Sequence, residues 1–236
     1  MSKQMNLSLP ENFDNHVRLF PLPNLVLFPG IVQALHLFEP RYRELMKAAL
    51  ATDELITMAY VKPGPEAVSV RPEIADTVCI GKILSHTLLE DGRYNLFLVG
   101  AKRARIVEEV TSDFLYRTAE VELIPKRPGQ GEGIRFLRDE IVKKFRELAG
   151  NRTGWDQEAL DKFLNNDLPF GQMVDMIAYS CGASPEEQQR VLETFELRSR
   201  GELVLEVLQQ QVELTRAYGP KNSESGESFP PGFSLN

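Results

Sequence analysis

The stretch Val17–Leu45, "VRLFPLPNLVLFPGIVQALHLFEPRYREL", alternates dense apolar runs with four prolines and one glycine. Each proline removes a backbone N–H and fixes φ, so no run is long enough for a buried helix, and several short elements must follow one another. Pro23, Pro29 and Gly30 set turns, while Leu25, Leu27 and Phe28 supply core. Pro40 suits the first turn of a helix, where its missing N–H costs nothing. The helix formers "RYRELMKAALA" follow it, with Tyr42, Leu45, Met46 and Ala49 sharing one face. Glu39 and Arg41 flank the proline and are expected to fix the helix by an ion pair or by hydrogen bonds to strand ends.

Working outward, 236 residues make one large or two small domains with a real core. An apolar share of 42% and a charged share of 26% are those of an ordinary globular chain. No window reaches the roughly 18 apolar residues of a membrane span, and "MSKQMNLSLPENFDNH" has no signal-peptide run, so neither a membrane nor export is expected. The net charge of −7 argues against nucleic acid, whose phosphates demand a basic surface. Cys79 and Cys181 are expected as small buried groups of a cytoplasmic chain, not as a disulfide.

The period changes near Pro125. Before it, "LITMAY" (55–60), "TVCIGKILSHTLL" (77–89), "RYNLFLVG" (93–100) and "FLYRTAEVELI" (114–124) read as strands. Asp91-Gly92 predicts a two-residue hairpin loop, and Gly100 a second reversal or a bulge. Short strands broken by glycine and proline imply a closed or nearly closed barrel, with a surface loop at Val61–Glu73. After "PKRPGQGEG" (Pro125–Gly133), Ile134, Leu137, Ile141, Phe145 and Leu148 carry a helical period that stops before Gly150, a plausible C′ residue. Shorter helices are expected near Gln157–Leu164 and Gln172–Cys181, the second ended by Gly182. Ser184 with Glu187 forms one capping box, and Ser199 with Glu202 a second that opens a last helix to about Ala217. That helix is read with Leu203, Val207, Gln211 and Leu214 as its stripe. Residues 1–15 and 219–236 read as disordered tails around a barrel subdomain, 16–125, and a helical subdomain, 126–218.

Catalytic chemistry finds no footing in this pattern. No G-x-x-x-x-G-K-[ST] loop is present, and His16, His36 and His86 share no metal-ligand spacing with each other or with cysteine. His36 reads as a hydrogen-bonded structural histidine. His86 beside Ser85 on a strand points to the opposite face, which is poor geometry for a base. "KRARI" (Lys102, Arg103, Arg105) reads as one wet strand face. No catalytic residue, cofactor or metal is expected.

"PLPNLVLFPG" and "LHLFEPRYREL" resemble the signature of the Lon protease N-terminal, or substrate-binding, domain family. The likeness continues through "IGKI", "DGRYNLFLVGAKRARIVE" and "FGQMVDMIAYSCGASPEEQQRVLETFELRSRGELVLEVL", in the family's order, from about Val17 to about Ala217. One departure is "QALHLFEP", where the family more often has a proline. The resemblance implies an α+β fold: a PUA-like six-stranded pseudo-β-barrel with one inserted helix, followed by a C-terminal α-helical bundle. It further implies a free-standing member without the ATPase and protease modules, one that recognises unfolded or exposed apolar polypeptide segments in protein quality control or as a protease adaptor. Contact would come from the barrel face and the groove between barrel and bundle. Pro29, Gly30, Glu39, Pro40, Arg41, Tyr42, Asp91 and Gly92 are then structural signature positions. Phe28, Pro29 and Ile31, if partly exposed, would form the polypeptide anchor. The alternatives are a small-molecule or nucleotide-derivative site in the barrel mouth and a hydrolase with an unrecognised site.

Overall fold

The computed structural model describes residues 8–69, 71–125, 132–150, 156–165 and 168–219. Residues 126–131, most of the Pro125–Gly133 connection, and the tail segments 1–7 and 220–236 lie outside them. The chain divides after Pro125 into two compact units, one of strands and one of helices.

The first unit runs β1 (His16–Leu22), β2 (Val32–Leu37), α1 (Pro40–Leu50), β3 (Leu55–Tyr60), β4 (Thr77–Leu88), β5 (Tyr94–Val110) and β6 (Arg117–Leu123). They form one six-stranded sheet in the order β2-β5-β4-β3-β1-β6. β5 is long enough to pair twice along one edge, with β2 through Tyr94–Val99 and with β6 through Ala104–Val110. The second pairing closes the sheet into a ring. β1 and β3 are parallel, joined by the connection that carries α1, and α1 packs back on both. Alternate residues of the ring strands, among them Val17, Leu19, Ala59, Ile80, Ala104 and Val121, form one buried cluster. Leu9 and Phe13 pack against it, so the N-terminal segment, expected to be loose as far as Asn15, is engaged from Leu9 onward. The period of two puts their apolar side chains on one face, as a half-buried sheet requires.

Gly100 does not reverse the chain. β5 passes straight through it, and the irregularity is a bulge, because Gly81 pairs with Gly100 while Ile80 pairs with Lys102. The turn at Phe28–Ile31 docks here by its backbone. Gly30 N–H donates to Gly100 O at 2.8 Å, and Gly100 N–H donates to Ile31 O at 2.9 Å. A Cβ on Gly100 would lie 2.1 Å from Phe28 O, so only glycine admits this approach.

The β4–β5 loop also differs from expectation. Leu89 N–H donates to Arg93 O at 2.8 Å, so three residues, Glu90–Gly92, make the loop instead of two. Gly92 N–H donates to Leu89 O at 2.9 Å, and Gly92 has φ +81°. A turn followed by one left-handed glycine serves a three-residue loop, whereas the two-residue form needs two consecutive positive φ angles. The Asp91 carboxylate accepts from the Arg93 backbone N–H at 3.1 Å and from its Nε at 2.6 Å. Those bonds, the backbone one first, hold its pKa below the ordinary value.

The second unit comprises α2 (Glu132–Gly150), α3 (Gln157–Asn165), α4 (Phe170–Ser180), α5 (Pro185–Glu193) and α6 (Leu197–Tyr218). α2 runs through Gly150, which is not among the left-handed glycines, while Gly182, with φ +79°, does follow the end of α4. The Ser184 capping box is complete: Glu187 N–H donates to Ser184 Oγ at 3.2 Å, and Ser184 N–H donates to Glu187 Oε2 at 2.7 Å. The second box is absent. α6 begins two residues earlier than Ser199, because the Glu196 carboxylate accepts from the backbone N–H groups of Arg198 and Ser199. Of the expected stripe Val207 and Gln211 are buried, Leu203 is partly buried and Leu214 is exposed; Leu197, Gly201, Val204, Leu208 and Val212 are also on the buried face. Arg200 of α6 and Asp175 of α4 meet inside this unit, Nε to Oδ1 at 3.6 Å, with both residues buried. Cys79 and Cys181 are free and fully buried, one in each unit.

Candidate functional site

Phe28 is fully buried and Ile31 is 6% exposed; of the expected anchor only Pro29 is partly exposed. The backbone bonds at Gly100 draw the turn onto β5, and the flanking side chains enter the core. The ring of Phe28 lies 5.9 Å from the guanidinium of Arg103, which is itself buried and not part of a wet face.

The charged end of the opening stretch does reach the surface. Arg41 donates from Nε and Nη2 to Glu39 Oε2, both at 2.9 Å, so of the two expected devices the ion pair is present. The Glu39 carboxylate makes no cap bond; its backbone O accepts the Tyr42 and Arg43 N–H groups. Tyr42 ties the helix to the end of β1, its hydroxyl donating to Pro21 O at 3.1 Å and its ring meeting the edge of Phe20 at 4.3 Å. Burial pushes the Tyr42 phenol up to about 12, so it keeps the proton it donates. Arg41 sits over the same ring at 4.5 Å.

Leu19, Pro21, Arg41 and Tyr42 form one wall of a cleft of about 220 Å³ within the first unit. Arg71 and the β5–β6 loop with Arg117 form the other. Phe114 and Leu115 of that loop are 54% and 63% exposed, although Tyr116 beside them is buried. Phe114 stacks on Tyr116 with ring planes 5° apart and centroids at 4.9 Å, which holds an apolar ring outward on a fixed base. Arg117 secures the base of the loop. Its Nε and Nη2 donate to the two oxygens of Glu109, and its Nη1 donates to Pro72 O at 2.7 Å. Arg71 Nη2 adds a bond to Glu109 Oε2 at 2.9 Å. Hydrogen bonds from Arg117 first, and from Arg71 as well, hold the Glu109 pKa below the ordinary carboxylate value, so Glu109 is ionised at neutral pH.

Sequence reading assigned Phe114 and Leu115 to a strand that in fact begins at Arg117. The signal was present: "SDFLYR" sets three consecutive apolar or aromatic residues directly after turn formers, breaking the period of two. The signature residues Asp91 and Gly92 belong to the β4–β5 loop and do not line this cleft.

Of the remaining candidates for chemistry, His36 is held in a hydrogen-bonded structural role. Arg93 Nη1 donates to His36 Nε2 at 3.3 Å, which leaves the His36 Nδ1 proton for Asn95 Oδ1 at 2.6 Å. Ser85 pairs with Phe97 and His86 with Leu96, on opposite faces of β4. Among the described residues no group of three or more His, Cys, Asp or Glu side chains could hold a metal ion, and no helix is long and apolar enough to cross a membrane.

The family model for the substrate-binding domain of ATP-dependent protease La (LON) matches residues 16–210. The Lon protease of Treponema pallidum (strain Nichols) is 28% identical over 209 residues, covering 87% of this chain and 23% of that protein. Lon protease 2 of Desulfotalea psychrophila is 29% identical over 199 residues, covering 83% of this chain and 25% of that protein. The chain thus spans about a quarter of the length of these curated relatives. Among solved structures, the N-terminal domain of the Mycobacterium avium complex Lon protease superposes with a TM-score of 0.64 at 19% identity, covering 84% of this chain and 98% of that one. The Lon N-terminal domain protein of Xanthomonas campestris gives a TM-score of 0.57 at 19% identity, covering 87% and 99%. At that identity the two structures establish the shared α+β fold.

Proposed function

Since this chain belongs to the Lon substrate-binding domain family, we propose that it is a non-catalytic polypeptide-binding protein that engages exposed apolar segments, in protein quality control or as a protease adaptor. The observation that carries this reading is the β5–β6 loop, which holds Phe114 and Leu115 exposed above a cleft. Large apolar side chains held in water on a fixed base mark a contact surface, and fully burying each one contributes about 1.5–3 kcal/mol to whatever covers it. Two such groups beside a shallow cleft suit clients that vary in sequence, because the contact demands apolar surface and little fixed geometry. The neighbouring wall of Arg41 and Tyr42 comes from the "FEPRYREL" run, so the same residues build the fold and one side of the surface.

A reduced, carboxymethylated protein is expected to bind this chain with an affinity on the order of micromolar, while the same protein folded binds at least about tenfold more weakly. The ordering entropy of an unfolded client limits the affinity, and burial of apolar surface supplies it. Isothermal titration of the two client forms measures both. Equal, weak binding of the two would remove the polypeptide-binding role.

A further inference from the structure

The walls of the cleft carry three arginines, Arg41, Arg71 and Arg117, and none of the residues lining it is acidic. On a chain of net charge −7 this is a local reversal of sign. Arg117 is 12% exposed and spends Nε, Nη1 and Nη2 on Glu109 and Pro72, so its task is to hold the loop. Arg71 and Arg41 are differently placed. Arg71 is 58% exposed and bonds Glu109 through Nη2. Arg41 is 34% exposed and bonds Glu39 through Nε and Nη2. Neither pair uses all five donors of its guanidinium, so Arg41 and Arg71 each keep N–H groups for a further acceptor at the cleft.

We propose that Arg71 and Arg41 bind a carboxylate of the client, so that the cleft selects segments in which an Asp or Glu lies next to the apolar residues covering Phe114 and Leu115. This rests on the polypeptide-binding reading of the same cleft and names its client class: acidic-apolar segments in preference to basic-apolar ones. A guanidinium fork matches a carboxylate in geometry as well as charge, and both arginines are already positioned by the carboxylates behind them, so little side-chain freedom is lost on binding. The apolar loop supplies contact that salt does not screen, and the arginines supply selectivity that salt does.

The test uses the full chain and two dye-labelled ten-residue peptides blocked at both ends, identical except for Asp or Asn beside a Phe-Leu-Phe run, read by fluorescence anisotropy. The Asp peptide is expected to bind about tenfold more tightly at low salt, one bidentate charge-assisted contact being worth roughly a decade. In about 1 M sodium chloride that preference should vanish while the Asn peptide binds as before. Arg71→Gln, a substitution at a side chain 58% exposed, should remove most of the preference with the thermal midpoint nearly unchanged, and Arg41→Gln should do the same independently. Equal binding of both peptides to the wild-type chain would overturn the carboxylate inference and leave polypeptide binding intact. Binding of neither peptide, together with no binding of an unfolded protein, would overturn both. Displacement of the Asp peptide by millimolar inorganic phosphate but not by acetate would overturn the inference in favour of a phosphate-bearing small ligand.

Discussion

Phe28→Ala is expected to destabilise the first unit by about 3–5 kcal/mol, a large part of the roughly 5–15 kcal/mol that holds a typical domain. Phe28 is among the largest fully buried side chains in the molecule. Its carbonyl passes so close to Gly100 that a methyl group there would collide with it, and the hydrogen bonds at Gly30 and Ile31 clamp the turn on both sides. The backbone is therefore held from outside the cavity that truncation creates, and the site collapses little, which places the cost at the upper end of its class. Urea unfolding followed by circular dichroism measures the loss. Pro29→Ala, at a partly exposed neighbour, should cost less than about 1 kcal/mol. A Phe28→Ala chain as stable as the parent would mean that the ring is not core.

Asp175→Ala is expected to destabilise the helical unit by about 3–5 kcal/mol, because it leaves the buried Arg200 guanidinium without this carboxylate. The two lie 3.6 Å apart where α4 meets α6. Gly201 lies at the same crossing, where an added Cβ would come within 2.8 Å of Phe170 and Leu137 side-chain atoms. Such packing leaves the Arg200 side chain only 8% exposed. Replacing both charges, Asp175→Leu with Arg200→Met, should lose less than the single substitution, since no buried ion then remains. Thermal unfolding of the single and double variants reads this directly. A single variant within about 1 kcal/mol of the parent would show that Arg200 is hydrated.

Much of this architecture was legible in the chain. Pro40 at the first helical turn, the face Tyr42–Leu45–Met46–Ala49 and the Ser184 capping box are local devices, so spacing alone located them. The signature from Val17 onward located the six-stranded sheet and the helices that follow it in the chain. What escaped was set by tertiary contact. Phe28 reads as core or, if partly exposed, as an anchor, and nothing local chooses between the two, because what draws it inward is a hydrogen-bonded approach to Gly100, more than seventy residues away in sequence. Ser199 resembles a cap as much as Ser184 does, yet Glu196 upstream accepts the Arg198 and Ser199 N–H groups, so Ser199 lies inside α6 and not at its cap. The cleft was missed because an apolar run reads as strand or core by default, and the broken period of "SDFLYR" is a weak local sign beside the solvent exposure of Phe114 and Leu115 in the fold.

That exposure is what binding must reflect, and the double variant Phe114→Ser, Leu115→Ser tests it most directly. Both side chains are more than half exposed, so the thermal midpoint should stay within about 2 °C of the parent. Affinity for a reduced, unfolded protein should fall about tenfold or more, since the loss of two apolar contacts at a hot spot exceeds 1.4 kcal/mol. Unchanged affinity in a chain of unchanged midpoint would place polypeptide contact elsewhere and contradict the role given to the β5–β6 loop.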